Sequence, residues 1–331
     1  MGGLKVLFVG GSGVISSACS RLAVERGIEL HVLNRGTTSL RPLPAEVRVL
    51  QADVRDPASV RAALGKHDFD AVVDWIAFTP DHVRTDLDLF RGRTGQYVFI
   101  SSASAYQTPP GRVPIVESTP LRNPFWRYSR DKIACEELLV AAYRDEGFPA
   151  TIVRPSHTYD RTVVPFDGGW TVLGRMRQGK EIVVHGDGTS LWVLTHSEDF
   201  ARGFVPLLGH PRTLGEAFHI TSDDTLTWDQ IALSLTAAVG VEPRIVHVPS
   251  EAIAAADPDW GAGLLGDKAH SMVFDNTKLR RVVPDFAATI PFEQGAREIV
   301  AWYEDPERQQ VDPELDAVMD RLVEAYRPRP L

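Results

Sequence analysis

The sequence is poor in cysteine, because its 331 residues include only Cys19 and Cys135. Both lie in segments that the residue pattern predicts to be helices, which excludes a disulfide framework and a cysteine-based metal site. We expect two buried, unreactive thiols. His185 and His196 have no carboxylate or cysteine partners at metal-ligand spacing, so no metal is predicted.

Long apolar runs and an excess of positive charge are also missing. The apolar stretch within residues 1–9 is too short for a signal peptide or a membrane span, so we expect a cytoplasmic protein with no membrane partner. The formal net charge of −9 disfavours a nucleic-acid partner, since such partners are bound by concentrated positive charge. The hydrophobic fraction of 44% is enough for a sizeable globular core.

Short apolar runs alternate with amphipathic stretches between Lys5 and Val153. This alternation predicts strand and helix units around a parallel sheet. The predicted strands cover residues 5–9, 29–33, 47–51, 71–74, 97–101 and 150–154. The fold class is therefore predicted as α/β, with a Rossmann doubly wound parallel sheet and a smaller C-terminal α/β lobe that binds substrate.

The pattern becomes irregular after Arg154-Pro155, which indicates where the chain leaves the sheet domain. We assign residues 1–158 to an NAD(P)-binding Rossmann domain, which the chain rejoins at about residues 190–220. Residues 159–189 and 221–331 are assigned to the substrate-binding lobe.

A glycine-rich turn follows the first predicted strand directly. Gly10 permits the tight turn, and Gly13 permits close approach of a pyrophosphate, which the N–H groups at the start of the next helix would bind. Ser16 stands where the pattern has its third glycine. The other turn residues that we assign to the cofactor are Ser12, Val14 and Ile15.

The end of the second strand bears on which dinucleotide binds. Asn34-Arg35 stands where NAD-binding proteins have a carboxylate that bonds the ribose 2′-hydroxyl. The guanidinium of Arg35 suits a 2′-phosphate instead, which favours NADP and keeps NAD as the alternative. Asp53 and Val54, after the third strand, are assigned to the adenine end, with a turn cap as the alternative role.

A tyrosine and a lysine lie one helical turn apart at the start of a predicted helix. Tyr128 and Lys132 therefore share one face. An ammonium beside a phenol stabilises the phenolate, so we expect Lys132 to lower the pKa of Tyr128 and let it exchange a proton near neutral pH.

Serines follow the predicted strand of residues 97–101, and ligands bind at the carboxyl ends of such strands. The hydroxyl of Ser102 is placed to hydrogen-bond a substrate oxygen and hold it against the tyrosine, with Ser104 as the second choice. Capping of the strand end is the alternative role for these serines.

Together these segments resemble the extended, atypical short-chain dehydrogenase/reductases, the family of NAD-dependent epimerases and dehydratases. The resemblance implies that Ser102, Tyr128 and Lys132 are catalytic. It also implies that Tyr128 and Lys132 bind the cofactor, Lys132 at the nicotinamide ribose, and that Pro155 lines the nicotinamide. It also implies a homodimer. A similar glycine motif occurs in chloroplast RNA-binding proteins of the same superfamily, which offers a non-catalytic alternative.

The sequence departs from parts of that family. Ala103 and Ser104 replace the acidic pair of the sugar 4,6-dehydratases, which makes dehydration improbable. Trp192 stands in a stretch where many nucleotide-sugar enzymes have an arginine for the diphosphate; it either stacks on a ligand or belongs to the core. His157 is a candidate donor to the substrate, with an ordinary loop histidine as the alternative.

The leading hypothesis is an NAD(P)-dependent epimerase or oxidoreductase that transfers hydride at a C–OH carbon of a sugar or nucleotide-linked sugar. The alternatives are an NADP-dependent reductase of a non-sugar carbonyl, and a non-catalytic dinucleotide- or RNA-binding protein. The expected partner is a small molecule, a carbohydrate by resemblance.

Overall fold

The fold is described from a computed structural model that covers residues 3–36 and 40–328. The strands, in chain order, are β1 Lys5–Val9, β2 Glu29–Asn34, β3 Arg48–Gln51, β4 Ala71–Asp74, β5 Tyr97–Ile100, β6 Ala150–Pro155, β7 His157–Tyr159, β8 Ile182–His185, β9 Leu191–Trp192, β10 Leu194–His196, β11 Ala217–Ile220, β12 Leu226–Thr227 and β13 Ile245–Val248. The six predicted strands are confirmed, with ends that differ by at most one residue.

The helices surround these strands. They are α1 Val14–Glu25, α2 Pro57–Leu64, α3 Pro80–Phe90, α4 Arg127–Glu146, α5 Trp170–Arg177, α6 Ser197–Phe204, α7 Trp228–Val239, α8 Ser250–Ala256, α9 Pro258–Gly263, α10 Thr277–Val282, α11 Phe292–Trp302 and α12 Pro313–Tyr326. Among the residues described, none of these helices is long and apolar enough to cross a membrane.

Seven parallel strands form the central sheet in the order β11-β6-β5-β4-β1-β2-β3. The chain builds outward from β1 in one direction and then from β4 in the other, so the strand order reverses between β1 and β4. In such sheets the ligand binds outside the carboxyl ends of the strands at this reversal. The predicted α/β Rossmann class is confirmed.

Consecutive apolar residues in each strand supply two separate cores. In β1, Val6 and Phe8 pack under α1 and α6, whereas Leu7 and Val9 pack under α2, α3 and α4. Side chains alternate between the two faces of a strand, so a strand covered on both faces must be apolar at every position.

The last strand of the sheet comes from late in the chain, because β11 pairs with β6 through Phe218 opposite Val153. A third core gathers side chains from α5, α7, α11 and α12 around Trp192 and Trp228. The division into a sheet domain and a substrate lobe, with the residue ranges given above, stays a prediction.

Candidate active site

The glycine-rich turn lies at the strand reversal, between β1 and α1. Gly10 has a φ of +85°, and a Cβ there would lie 2.9 Å from Cγ2 of Ile76. A Cβ on Gly11 would lie 2.7 Å from Cγ2 of Val32. Both positions therefore require glycine, and the turn keeps its backbone bare at the start of α1, as a phosphate-binding turn needs.

Ser16 replaces the third glycine of the pattern and has a structural role of its own. Its buried hydroxyl accepts a hydrogen bond of 2.7 Å from the N–H of Gly13. The hydroxyl of Ser20 donates to the carbonyl of Gly11 at 3.0 Å. These serines hold the turn in shape from the side of α1.

A cleft of about 630 Å³ opens over this turn. It is lined by every residue that we predicted for the phosphate and adenosine end of the cofactor, namely Gly10, Ser12, Gly13, Val14, Ile15, Asn34, Arg35, Asp53 and Val54. The residues present fit a dinucleotide, because bare backbone, a helix N-terminus and exposed cationic side chains meet in one cleft.

Two further arginines line the same cleft and were missed by the sequence reasoning. Arg55 donates to the carbonyl of Ile76 at 2.6 Å. Arg41 is paired with Asp160 at 2.6 Å. Arg55 could have been predicted from the sequence, because it lies two residues after Asp53, which we assigned to the cofactor. The contact of Arg41 with Asp160 depends on the tertiary fold and has no such local pattern.

A second, smaller cavity of about 250 Å³ lies at the ends of β5 and β6. It brings together five residues predicted for the chemistry and the substrate, namely Ser102, Ser104, Tyr128, Pro155 and His157. Among the described residues, no cluster of three or more histidine, cysteine or carboxylate side chains is arranged to hold a metal ion.

The serine hydroxyls are linked in a chain. Ser102 and Ser104 have their Oγ atoms 2.9 Å apart, and Ser129 donates to Oγ of Ser104 at 2.7 Å. Ser104 is buried and Ser102 is half-buried, so Ser102 is the more accessible of the two serines in the cavity.

Lys132 lies under the cavity rather than in it. Its buried Nζ donates to the carbonyls of Ala77 at 2.7 Å and Ile100 at 2.6 Å. Burial lowers the pKa of Lys132 to about 8. Ile100 also lines the cofactor cleft, so the lysine lies at the junction of the two cavities.

The expected lowering of the tyrosine pKa is not found. Burial raises the pKa of Tyr128 to about 12; a hydrogen bond with Ser102 opposes the rise, and the Asp267 carboxyl adds to it. Burial is the main cause, and Lys132 does not oppose it: the ammonium is hydrogen-bonded to the carbonyls of Ala77 and Ile100 and lies 5.8 Å from the centre of the Tyr128 ring.

Trp192 lies behind the cavity and does not line it. It is 1% exposed, and its Nε1–H donates to Nδ1 of His157 at 3.2 Å. Stacking of Trp192 on a ligand is therefore wrong, and the core alternative applies. Because Nδ1 of His157 accepts this bond, the neutral ring carries its proton on Nε2.

Two cavity residues come from the C-terminal part of the chain and were missed. Asp267 and Lys268 line the cavity from a short helical segment, Leu264–Lys268, opposite Tyr128. No motif in the sequence marks this segment. The buried Asn123 joins the two sides, donating to the carbonyls of Ser104 at 2.9 Å and Gly266 at 2.6 Å.

The buried histidines predict that the protein loses stability in mild acid. Burial lowers the pKa of His157 to about 3 and of His185 to about 4, against about 6.5 for an unfolded histidine. Between these values the unfolded state binds more protons, so the free energy of unfolding should decrease as the pH is lowered, by up to about 1.4 kcal/mol per pH unit for each histidine.

Urea unfolding between pH 7 and pH 4 measures this slope. His157→Gln keeps an acceptor for Trp192 but cannot titrate, so its free energy of unfolding should depend less steeply on pH. An identical slope in wild type and variant would show that His157 does not contribute.

The sheet order, the glycine turn and the paired cavities define a dinucleotide-binding enzyme of the Rossmann class. A family model described as the NAD dependent epimerase/dehydratase family matches residues 6–221. The chain therefore belongs to this family and is an enzyme of the extended short-chain dehydrogenase/reductase type, as the motifs predicted.

Individual relatives are distant. The chain is 28% identical over 289 residues to the 2′-dehydrokanamycin reductase of Streptomyces kanamyceticus. The aligned region covers 86% of this chain and 80% of the relative. It is 27% identical over 256 residues to the chloroplast stem-loop binding protein of 41 kDa b of Arabidopsis thaliana, covering 73% and 65%. The solved structure of an epimerase from Methanothermobacter thermautotrophicus superposes with a TM-score of 0.75 at 17% identity, covering 92% and 93%.

Proposed function

We propose that this protein transfers hydride reversibly between a nicotinamide dinucleotide and a carbonyl or C–OH carbon of a small polyhydroxylated substrate, with carbonyl reduction as the favoured direction. The observation that carries the proposal is the shared cavity of Ser102, Tyr128 and Pro155 beside the dinucleotide cleft.

The residues divide the work as follows. The nicotinamide, when bound, supplies or accepts the hydride. Ser102 donates a hydrogen bond to the substrate oxygen, and the Tyr128 hydroxyl gives that oxygen its proton when the carbonyl is reduced. With a pKa raised by burial to about 12, Tyr128 is protonated at neutral pH and acts as an acid. Lys132 holds the backbone of Ala77 and Ile100 between the two cavities.

The size of the cavity supports a single-ring substrate. Its volume of about 250 Å³ is below the usual range of about 300–1,000 Å³ for drug-sized ligands. A nucleotide diphosphosugar is larger, and Leu191-Trp192-Val193 offers no cation for a diphosphate. The likeness to the 2′-dehydrokanamycin reductase also supports reduction of a carbohydrate ketone.

Epimerisation remains the alternative reaction of the same site. An epimerase keeps its cofactor through both half-reactions, whereas a reductase exchanges it at every turnover. Mass spectrometry of the cofactor that copurifies, followed by NADPH and NADH oxidation with a panel of keto sugars, tests the proposal. A dinucleotide that dissociates at each turnover, together with reduction of a ketone, supports the reductase. A tightly held dinucleotide, together with interconversion of two epimers, would show that the protein is an epimerase instead.

The likeness to the stem-loop binding protein keeps an RNA-binding role as the second candidate. It predicts affinity for RNA that falls steeply with salt, and no turnover. The net charge of −9 opposes this role. We also propose a homodimer, from the family resemblance, and a cytoplasmic location.

NADP is the proposed cofactor, and Arg35 is the residue that we propose to select it. Arg35 is exposed at the carboxyl end of β2 and lines the cleft. Arg35→Ala should weaken NADP binding by about tenfold or more and leave NAD binding unchanged, because a charge-assisted bidentate bond to phosphate is lost. Titration calorimetry of both dinucleotides measures this.

Arg61→Ala, on the exposed face of α2, is the matched control because it removes the same charge outside the cleft. Equal weakening of NADP and NAD in Arg35→Ala would mean that the arginine does not read the 2′-phosphate. Unchanged NADP affinity would transfer that role to Arg41 or Arg55.

A further inference from the structure

The wall of the small cavity that faces Tyr128 carries a carboxyl group that the proposed chemistry does not use. Asp267 lines the cavity together with Ser102, Tyr128 and His157. Among the described residues, its carboxyl oxygens have neither a hydrogen-bond donor nor an ion-pair partner within bonding distance. A carboxyl group at the edge of a hydride-transfer site, with its acceptors unused, is available to a substrate.

The segment that carries Asp267 is held firmly against the residues just before α4. Asn123 donates to the carbonyl of Gly266 at 2.6 Å, and the ring of His185 donates to the carbonyl of Lys268 at 2.9 Å. A Cβ on Gly266 would lie 2.6 Å from Cβ of Trp126, so the two backbones are in close contact. Asp267 is therefore presented by a fixed backbone, as a binding residue should be.

Burial raises the pKa of Asp267 and the neighbouring Lys268 lowers it, but among the described residues no cation lies within ion-pair distance of this carboxylate. The ammonium of Lys268 lies 3.7 Å from a carboxylate oxygen of Asp167, which offsets its charge. Burial lowers the pKa of His157 to about 3, so this histidine is neutral. Lys132 is directed at the carbonyls of Ala77 and Ile100, on the cofactor side. An ionised Asp267 gives the substrate cavity a negative charge.

We propose that Asp267 binds a protonated amine of the substrate, so that the substrates of this enzyme are small amino-bearing carbonyl compounds, with amino sugars as the class. The proposal rests on the proposed function, because it concerns the same cavity. An ammonium would supply the missing hydrogen bonds and the missing opposite charge at once. Burial raises the pKa of Asp267 to about 7, because the charged form is poorly solvated in the cavity, and a bound ammonium would favour that charged form.

Binding of three monosaccharides to the NADP⁺-loaded, full-length protein tests the proposal. Glucosamine carries the charge, N-acetylglucosamine keeps the nitrogen without the charge, and glucose has a hydroxyl in its place. Titration calorimetry at neutral pH should give glucosamine an affinity about tenfold or more above the other two, as expected for a desolvated charge pair. In Asp267→Asn this preference should shrink to about twofold or less, because the amide carries no charge.

Asp259→Asn is the matched control, since Asp259 is exposed on the same lobe and does not line the cavity. Asp267→Asn should fold normally, because a neutral amide is buried more easily than a carboxylate. Its melting temperature checks this, and Asp267→Ser provides a second variant without the charge. Equal affinity for the three sugars in wild type, no measurable binding of glucosamine, or an unchanged preference in Asp267→Asn would overturn the proposal.

The binding measurement needs no turnover. A failure of the amine proposal therefore leaves the hydride-transfer proposal standing, while Tyr128→Phe tests the hydride transfer without affecting the charge of Asp267. A loss of turnover in Asp267→Asn for charged and uncharged substrates alike, with no change in their relative KM, would assign Asp267 to proton transfer and overturn the amine proposal.

Discussion

Replacing Tyr128 with phenylalanine should reduce hydride transfer by a factor of about 10² to 10⁴ and leave dinucleotide binding intact. The substitution removes only the hydroxyl that shares a hydrogen bond with Ser102. The ring stays in contact with Trp126, whose centre is 4.9 Å away. Single-turnover oxidation of NADPH with the substrate found by screening measures the loss, and calorimetric titration of NADP measures binding.

Tyr143→Phe is the matched control. Tyr143 lies further along the same helix, α4, and is 40% exposed on the surface. Its variant should show wild-type rates. Full activity of Tyr128→Phe would remove the proton-donor role and with it the proposed mechanism. Weakened NADP binding in that variant would mean that the Tyr128 hydroxyl also contributes to holding the dinucleotide.

Lys132→Met should lower kcat/KM by about 10²-fold, with the loss shared between weaker dinucleotide binding and slower chemistry. Methionine has nearly the length of lysine but no donors, so the carbonyls of Ala77 and Ile100 lose their partner. These carbonyls belong to the two segments that join the cofactor cleft to the substrate cavity. The family resemblance adds contacts of the ammonium with the nicotinamide ribose, which methionine also removes.

The stability of Lys132→Met shows whether a loss of activity comes from the site itself or from a destabilised fold. Two buried carbonyls without donors destabilise by about 1–3 kcal/mol each, whereas removing a buried ammonium is favourable, so the free energy of unfolding should change only modestly. Urea unfolding and steady-state kinetics on one preparation separate the effects, with Lys66→Met at an exposed position as the control. Wild-type kcat/KM in Lys132→Met would show that the lysine is a structural residue only.

The sheet domain was predictable because its signals are local. The apolar runs of β1, β4 and β5 are continuous, since both faces of each strand are covered, and such runs are visible without tertiary information. The glycine turn and the Tyr128–Lys132 spacing are also local, because one turn of helix fixes which side chains share a face. These patterns led to the correct fold and to the two cavities.

The features of the candidate site that the sequence did not predict depend on contacts between segments that are distant in the chain. Asp267 reaches the cavity only because Gly266 packs against Trp126, and no spacing in the sequence encodes that approach. The direction of the Lys132 ammonium depends on where the Ala77 and Ile100 carbonyls lie. For the same reason the pKa of Tyr128 could not be inferred from the presence of a lysine four residues away: burial outweighs it.

A single buried amide, that of Asn123, connects the serine loop after β5 with the segment that carries Asp267. Its oxygen also accepts from the N–H groups of Phe125 and Trp126, just before α4. Tyr128 and Ser102, the residues that we propose as proton donor and oxygen holder, are thus joined to the Asp267 segment by one hydrogen-bonded frame. The walls of the small cavity are therefore spaced before a substrate binds, so the cavity itself selects substrates by their shape.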